Sequence, residues 1–158
     1  MALAFVVAAA VPAQAQTPPV DGGTIVGGTV NSYIELILNQ PSGFSTFKKS
    51  GTYSLSVDAM VTGTDKVTQL SVADGDATSG SKLGFLASGS KRLKDPLEAR
   101  VGSAAFQPLN VSVDPLLATW AKPVTRQAAK ITLRQKVRGK ASGTYRKLVL
   151  FTASSETP

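Results

Sequence analysis

Residues 52–62, TYSLSVDAMVT, decide the fold class. Tyr53, Leu55, Val57, Ala59 and Val61 fall on one side of an extended chain, and Thr52, Ser54, Ser56, Asp58 and Thr62 on the other. A period of two with a single apolar side predicts a half-buried antiparallel strand, because a helix would need apolar residues three and four apart. Met60 alone breaks the alternation. The period returns in residues 127–137, QAAKITLRQKV, with Ala129, Ile131, Leu133 and Val137 inward. Lys130, Thr132, Arg134, Lys136 and then Arg138 point outward. Residues 32–39, SYIELILN, set Ile34, Leu36 and Leu38 on one face, and residues 66–74, KVTQLSVAD, continue an inward row with Leu70 and Val72.

Between these runs lie turn-forming clusters such as QPSGF, TGTD and the Ser/Gly loop 75–82. Short strands are expected near 83–86 and 97–101, and another over 106–115, carried by Leu109, Val111 and Val113 and ended by Pro115. Residues 116–125, LLATWAKPVT, have a helical flavour but read as a short turn or a connection over the end of the fold rather than a full helix. The expected fold class is all-β, an Ig-like antiparallel β-sandwich of about seven to nine strands.

The closing stretch 141–158, ASGTYRKLVLFTASSETP, reads as a strand with two apolar rows. Tyr145, Val149 and Phe151 form one; Leu148 and Leu150 form the other. A strand with one face in water should be polar on that side, so Leu148 and Leu150 are expected to be covered by the protein's own loops or by a partner. The turn RGKASG is expected to join this strand to 127–137 as a C-terminal hairpin.

At the other end, MALAFVVAAAVPAQAQ has a short apolar run, Pro12, and Ala13-Gln14-Ala15. This is the pattern of a secretory signal peptide over residues 1–15, too short to span a bilayer; a basic n-region is expected upstream. Residues 16–30, QTPPVDGGTIVGGTV, are expected to be a flexible Pro/Gly-rich lead and first edge strand, and residues 31–158 the sandwich domain. The expected localisation is secreted, extracellular or cell-wall associated.

Composition excludes much chemistry. The chain has no Cys, so an exported fold must be held without disulfides. It has no His, which removes Ser-His-Asp catalysis, His-based zinc sites and the usual near-neutral proton shuttle. Asp74 and Asp76 in ADGDA have D-x-D spacing but no closing carboxylate before Asp95, so they read as a turn. Ser90-Lys91 lies in a polar loop. No catalytic constellation, metal site or cofactor site is expected, and the chain is read as non-enzymatic.

Charge is uneven. Residues 1–81 carry a net −3 and residues 82–158 a net +10, and from Lys122 to Lys147 there are nine basic residues and no acidic one. Lys130, Arg134, Lys136 and Arg138, with Arg146 and Lys147 from the next strand, are the candidate binding stripe for an anionic cell-envelope polymer. A charged edge that blocks aggregation is the plainer role. Nucleic acid is disfavoured, because Tyr145 is the one aromatic in that stretch and single-strand binders need stacking platforms.

VGGTVNSYIELILNQPSGFSTF (26–47), FQPL (106–109) and ITLRQKV with SGTYRKLVLFTASSETP resemble a group of secreted actinobacterial proteins with a VGGTVPS-type opening and a C-terminal GTYxK strand. More distantly, the chain is similar to WxL-type surface domains of Gram-positive bacteria, although TWAK (119–122) lacks the Trp-x-Leu pair and no wall-binding residue carries over. The resemblance implies an exported Ig-like sandwich without enzymatic activity. It also implies Thr where Leu148 and Leu150 stand here.

Two functions follow as expectations. One is a cell-surface protein binding an anionic envelope polymer through the basic C-terminal hairpin, with other surface proteins as further partners. The alternative is a filament subunit assembled by β-strand donation, with Ile25, Val26, Val30, Leu148 and Leu150 at the interface.

Overall fold

The computed structural model describes residues 32–156 apart from 40 and 42. The signal peptide and the lead, including Ile25, Val26 and Val30, lie outside the described residues. Among those described there are ten strands and no helix. They are β1 (Ile34–Leu38), β2 (Gly51–Gly63), β3 (Val67–Asp74), β4 (Ala87–Ser88), β5 (Lys91–Arg92), β6 (Leu97–Val101), β7 (Gln107–Pro108), β8 (Leu116–Trp120), β9 (Val124–Val137) and β10 (Val149–Glu156). Three of the ten are only two residues long, which takes the number past the seven to nine expected.

All pairings are antiparallel. A five-stranded sheet has the order β1-β2-β9-β6-β7, a three-stranded sheet the order β10-β3-β8, and β4-β5 forms a small ribbon. The inner rows of both larger sheets meet in one core. β2, β6 and β9 supply Val57, Ala59, Leu97, Ala99, Ala129, Ile131 and Leu133, and β3 and β8 supply Leu70, Val72 and Leu117. This arrangement is consistent with a β-sandwich. The β2 and β9 alternations match the sequence reading, and Met60 is the outward exception, 45% exposed.

Four expectations are corrected. β9 and β10 do not form a hairpin: β9 already pairs with β2 along its length and with β6 on its other edge, so β10 crosses to the second sheet and pairs with β3. Residues 116–120 form strand β8 rather than a connection. In 106–115 only Gln107–Pro108 is strand; Leu109 is buried, whereas Val111 and Val113 face solvent. Residues 83–86 lie in turns, and the short strand begins at Ala87.

Candidate functional site

β9 is the centre of its sheet, so its outward cations have neighbours on both sides. Arg134 lies opposite Glu98 of β6, and its Nε donates to Glu98 Oε2 at 2.7 Å. Lys136 Nζ is 3.5 Å from the other oxygen of Glu98. Arg138 reaches Asp95 at 2.8 Å. Phe106 takes both Arg134 and Arg100 against its ring, at 3.6 and 4.4 Å. Lys130 is exposed and lies opposite Asp58 of β2. The outward row is therefore laced with carboxylates from β2, β6 and the residues before β6, which removes most of the repulsion a bare row would carry.

Lys147 is somewhere else entirely. It shares the inward row with Tyr145, Val149 and Phe151, and its side chain is only 3% exposed. Its Nζ donates to Asp74 Oδ2 at 2.7 Å and to the Lys82 carbonyl at 3.2 Å. Asp74, at the end of β3, has no exposed side-chain surface. Its Oδ1 accepts from the N–H groups of Asp76 and Ala77, and its Oδ2 also accepts from Gly84 N–H at 2.6 Å. The D-x-D stretch is thus a turn, as the sequence suggested, built on an Asx-type bond. Burial alone would raise the Asp74 carboxyl, but Lys147 and the N–H donors outweigh it and hold the carboxyl below its ordinary value.

The three-stranded sheet is narrower than the sheet it covers, and the seam between β2 and β10 stays open. β1 pairs with β2 only over Ala59–Gly63, extended by Asn39 N–H donating to the Asp58 carbonyl. Backbone groups on one edge of a strand alternate, so the N–H and C=O of Ser54 and Ser56 face the same side as Asp58. No strand of the described residues lies against them. On the facing sheet Leu148 pairs with Gly75, so Val149, Phe151 and Ala153 turn their backbone groups to the other edge of β10, which β1 approaches but which no strand of the described residues pairs.

Below the seam are two adjoining cavities, the first of mixed lining and the second mainly apolar. One of about 590 Å³ is walled by Phe44, Phe47, Leu55, Leu97, Tyr145 and Val149. The other, of about 460 Å³, is walled by Leu38, Val57 and Phe151 and shares Leu55, Leu133, Lys147 and Val149 with the first. Phe47 packs edge-on to Tyr53 at 4.8 Å and Phe44 lies 5.9 Å from Phe47, so these rings plug one end of the seam.

The outer row of β10 answers the question raised by its sequence. Leu148 and Leu150 lie over Gly75, yet remain 53% and 48% exposed. Leu116 of β8, 48% exposed, adds to the apolar residues exposed on this sheet and was not anticipated, because its segment did not read as a strand. Arg146 is exposed beside Ala87, which it pairs through both backbone bonds. Among the described residues no helix is long and apolar enough to cross a membrane, and no group of His, Cys, Asp and Glu could hold a metal ion. Comparison with protein-family models, with curated proteins and with solved structures finds no match to the chain.

Proposed function

We propose that this chain is a non-enzymatic, exported structural protein of Ig-like build that assembles by strand addition, residues 16–30 of one copy entering the open seam of the next. The observation that supports this reading best is the seam. Along it the backbone of Ser54 and Ser56 on one side and of β10 on the other has no strand partner among the described residues, above the apolar side chains Leu55, Val57, Leu133, Val149 and Phe151. An added strand gains hydrogen bonds worth about 0.5–1.5 kcal/mol each and buries apolar residues at about 25 cal/mol/Å². Ile25, Val26 and Val30 supply such residues, with glycines between them that let the chain approach closely. Leu148, Leu150 and Leu116 would form a second contact between copies.

The deciding comparison is the protein from residue 16 against the protein from residue 31, by light scattering and electron microscopy. Polymers from the first and a folded monomer from the second are expected. Polymers from both would overturn the reading.

Binding of an anionic envelope polymer is the second reading, and its centre shifts. Ala87 pairs with both Arg92 and Arg146, so the α-carbons of the two arginines flank it about 10 Å apart, and the Arg92 guanidinium lies over the Phe85 ring at 3.9 Å. Neither has a carboxylate partner among the described residues. Replacing both by Glu is expected to lower the salt needed to elute the protein from a polyphosphate matrix, whereas Arg134→Gln changes it little. Equal effects would return the site to the β9 row.

A further inference from the structure

We propose that Lys147 and Asp74 condense into a side-chain amide, an intramolecular cross-link made by the protein itself, with Asp76 handling the proton. The two groups are already in contact. Nζ lies 2.7 Å from Oδ2, both side chains are almost wholly buried, and the Lys147 stem runs along the apolar cavity wall beside Leu55, Leu133 and Val149. Contact of this kind removes the translational and rotational cost of bringing an amine to a carboxyl. Despite burial, Lys147 and the N–H donors hold the Asp74 carboxyl charged at rest; transfer of one proton from the ammonium to it leaves a neutral amine beside a neutral acid with no change in total charge.

The surrounding groups suit each stage. The Nζ lone pair forms a bond to Cγ of Asp74, and negative charge develops on Oδ1. That oxygen is held by the N–H groups of Asp76 at 2.8 Å and Ala77 at 3.1 Å, two fixed donors aimed at the developing oxyanion. The Cγ–Oδ2 bond then breaks. Oδ2 leaves as water with two of the three ammonium protons, and the third remains on the amide nitrogen, so an ammonium and a carboxylate become an amide and one water without oxidant or reductant.

Asp76 is placed to carry a proton between them. Its Oδ2 is 3.9 Å from Nζ and is fixed by the Leu148 N–H at 2.9 Å. Its side chain is 48% exposed, which gives the proton and the released water a route to solvent. The resulting bond would close residues 74–147, a ring containing β4 to β9, in a chain that has no cysteine for a disulfide.

The test is the intact mass and peptide map of the folded wild-type protein beside Lys147→Arg, which keeps a cation but cannot condense. The wild type is expected to be lighter by one water than its sequence requires. Trypsin should release a branched peptide joining the segments around Asp74 and Lys147, with no cleavage after Lys147. A full-mass protein that yields the free peptide beginning at Leu148 overturns the proposal, and the wild-type map decides this even if the variant fails to fold. In Asp76→Asn the condensed fraction is expected to accumulate at least tenfold more slowly; an unchanged rate removes Asp76 from the reaction.

Discussion

Replacing Asp74 by Ala is expected to cost about 3–5 kcal/mol of folding stability at pH 7, read from denaturant unfolding. The figure reflects what is left behind rather than what the pair contributes. Without the carboxylate, Lys147 keeps a buried ammonium with only the Lys82 carbonyl and the more distant Asp76 near it, and the N–H of Gly84 loses its acceptor. Sign and pH window follow from the depressed carboxyl. A group whose folded value is lowered contributes fully above its unfolded value, about 3.9, and loses that contribution as pH falls through the folded one. For uncondensed protein, the gap to Asp74→Ala should therefore narrow progressively below about pH 4. Once the amide has formed the gap should stay constant into strong acid, because the amide does not titrate. A constant gap in protein of full mass would mean that the carboxylate is not what holds the site.

Local periodicity and non-local pairing were not equally readable. The alternation in 52–62 and 127–137 specified strand, face and inward residues, because those properties depend on neighbours two positions away. Which strand lies beside which depends on the whole sheet. β10 followed β9 through turn-forming residues, so a hairpin was the local answer, but β9 has no free edge. The same limit hid the partners of the basic row, since Glu98 pairs with Arg134 from 36 residues away. β8 was missed because LLATW has no polar alternation until it is set against β3. For Lys147 there was a signal: it stands in one alternate row with Tyr145, Val149 and Phe151, and a lysine in an inward row requires a buried acceptor. The turn at Asp74 was legible; that the same carboxylate reaches across 73 residues to that lysine was not.

The second large effect is expected at Gly84, whose replacement by Ala should destabilise the fold by more than about 3 kcal/mol. Gly84 is fixed from three sides. Its N–H donates to Asp74 Oδ2, its carbonyl accepts from Leu97 N–H at 2.8 Å, and its α-carbon lies against the backbone at Leu109 and Asn110. A Cβ there would collide with main-chain atoms, which cannot swing aside as a side chain could. The residue also has φ +73°, where an L side chain is strained in any surroundings. Gly80→Ala separates the two causes: Gly80 has φ +88°, but a Cβ there meets nothing within 4 Å. That variant should show the conformational cost alone, about 1–2 kcal/mol. The difference between the two measures how closely the 84 turn is pressed onto Leu109, and through its N–H how firmly Asp74 is held. Equal penalties would mean that the backbone at 109–110 yields readily. Gly84 would then be only a turn residue and not the clamp on the buried pair.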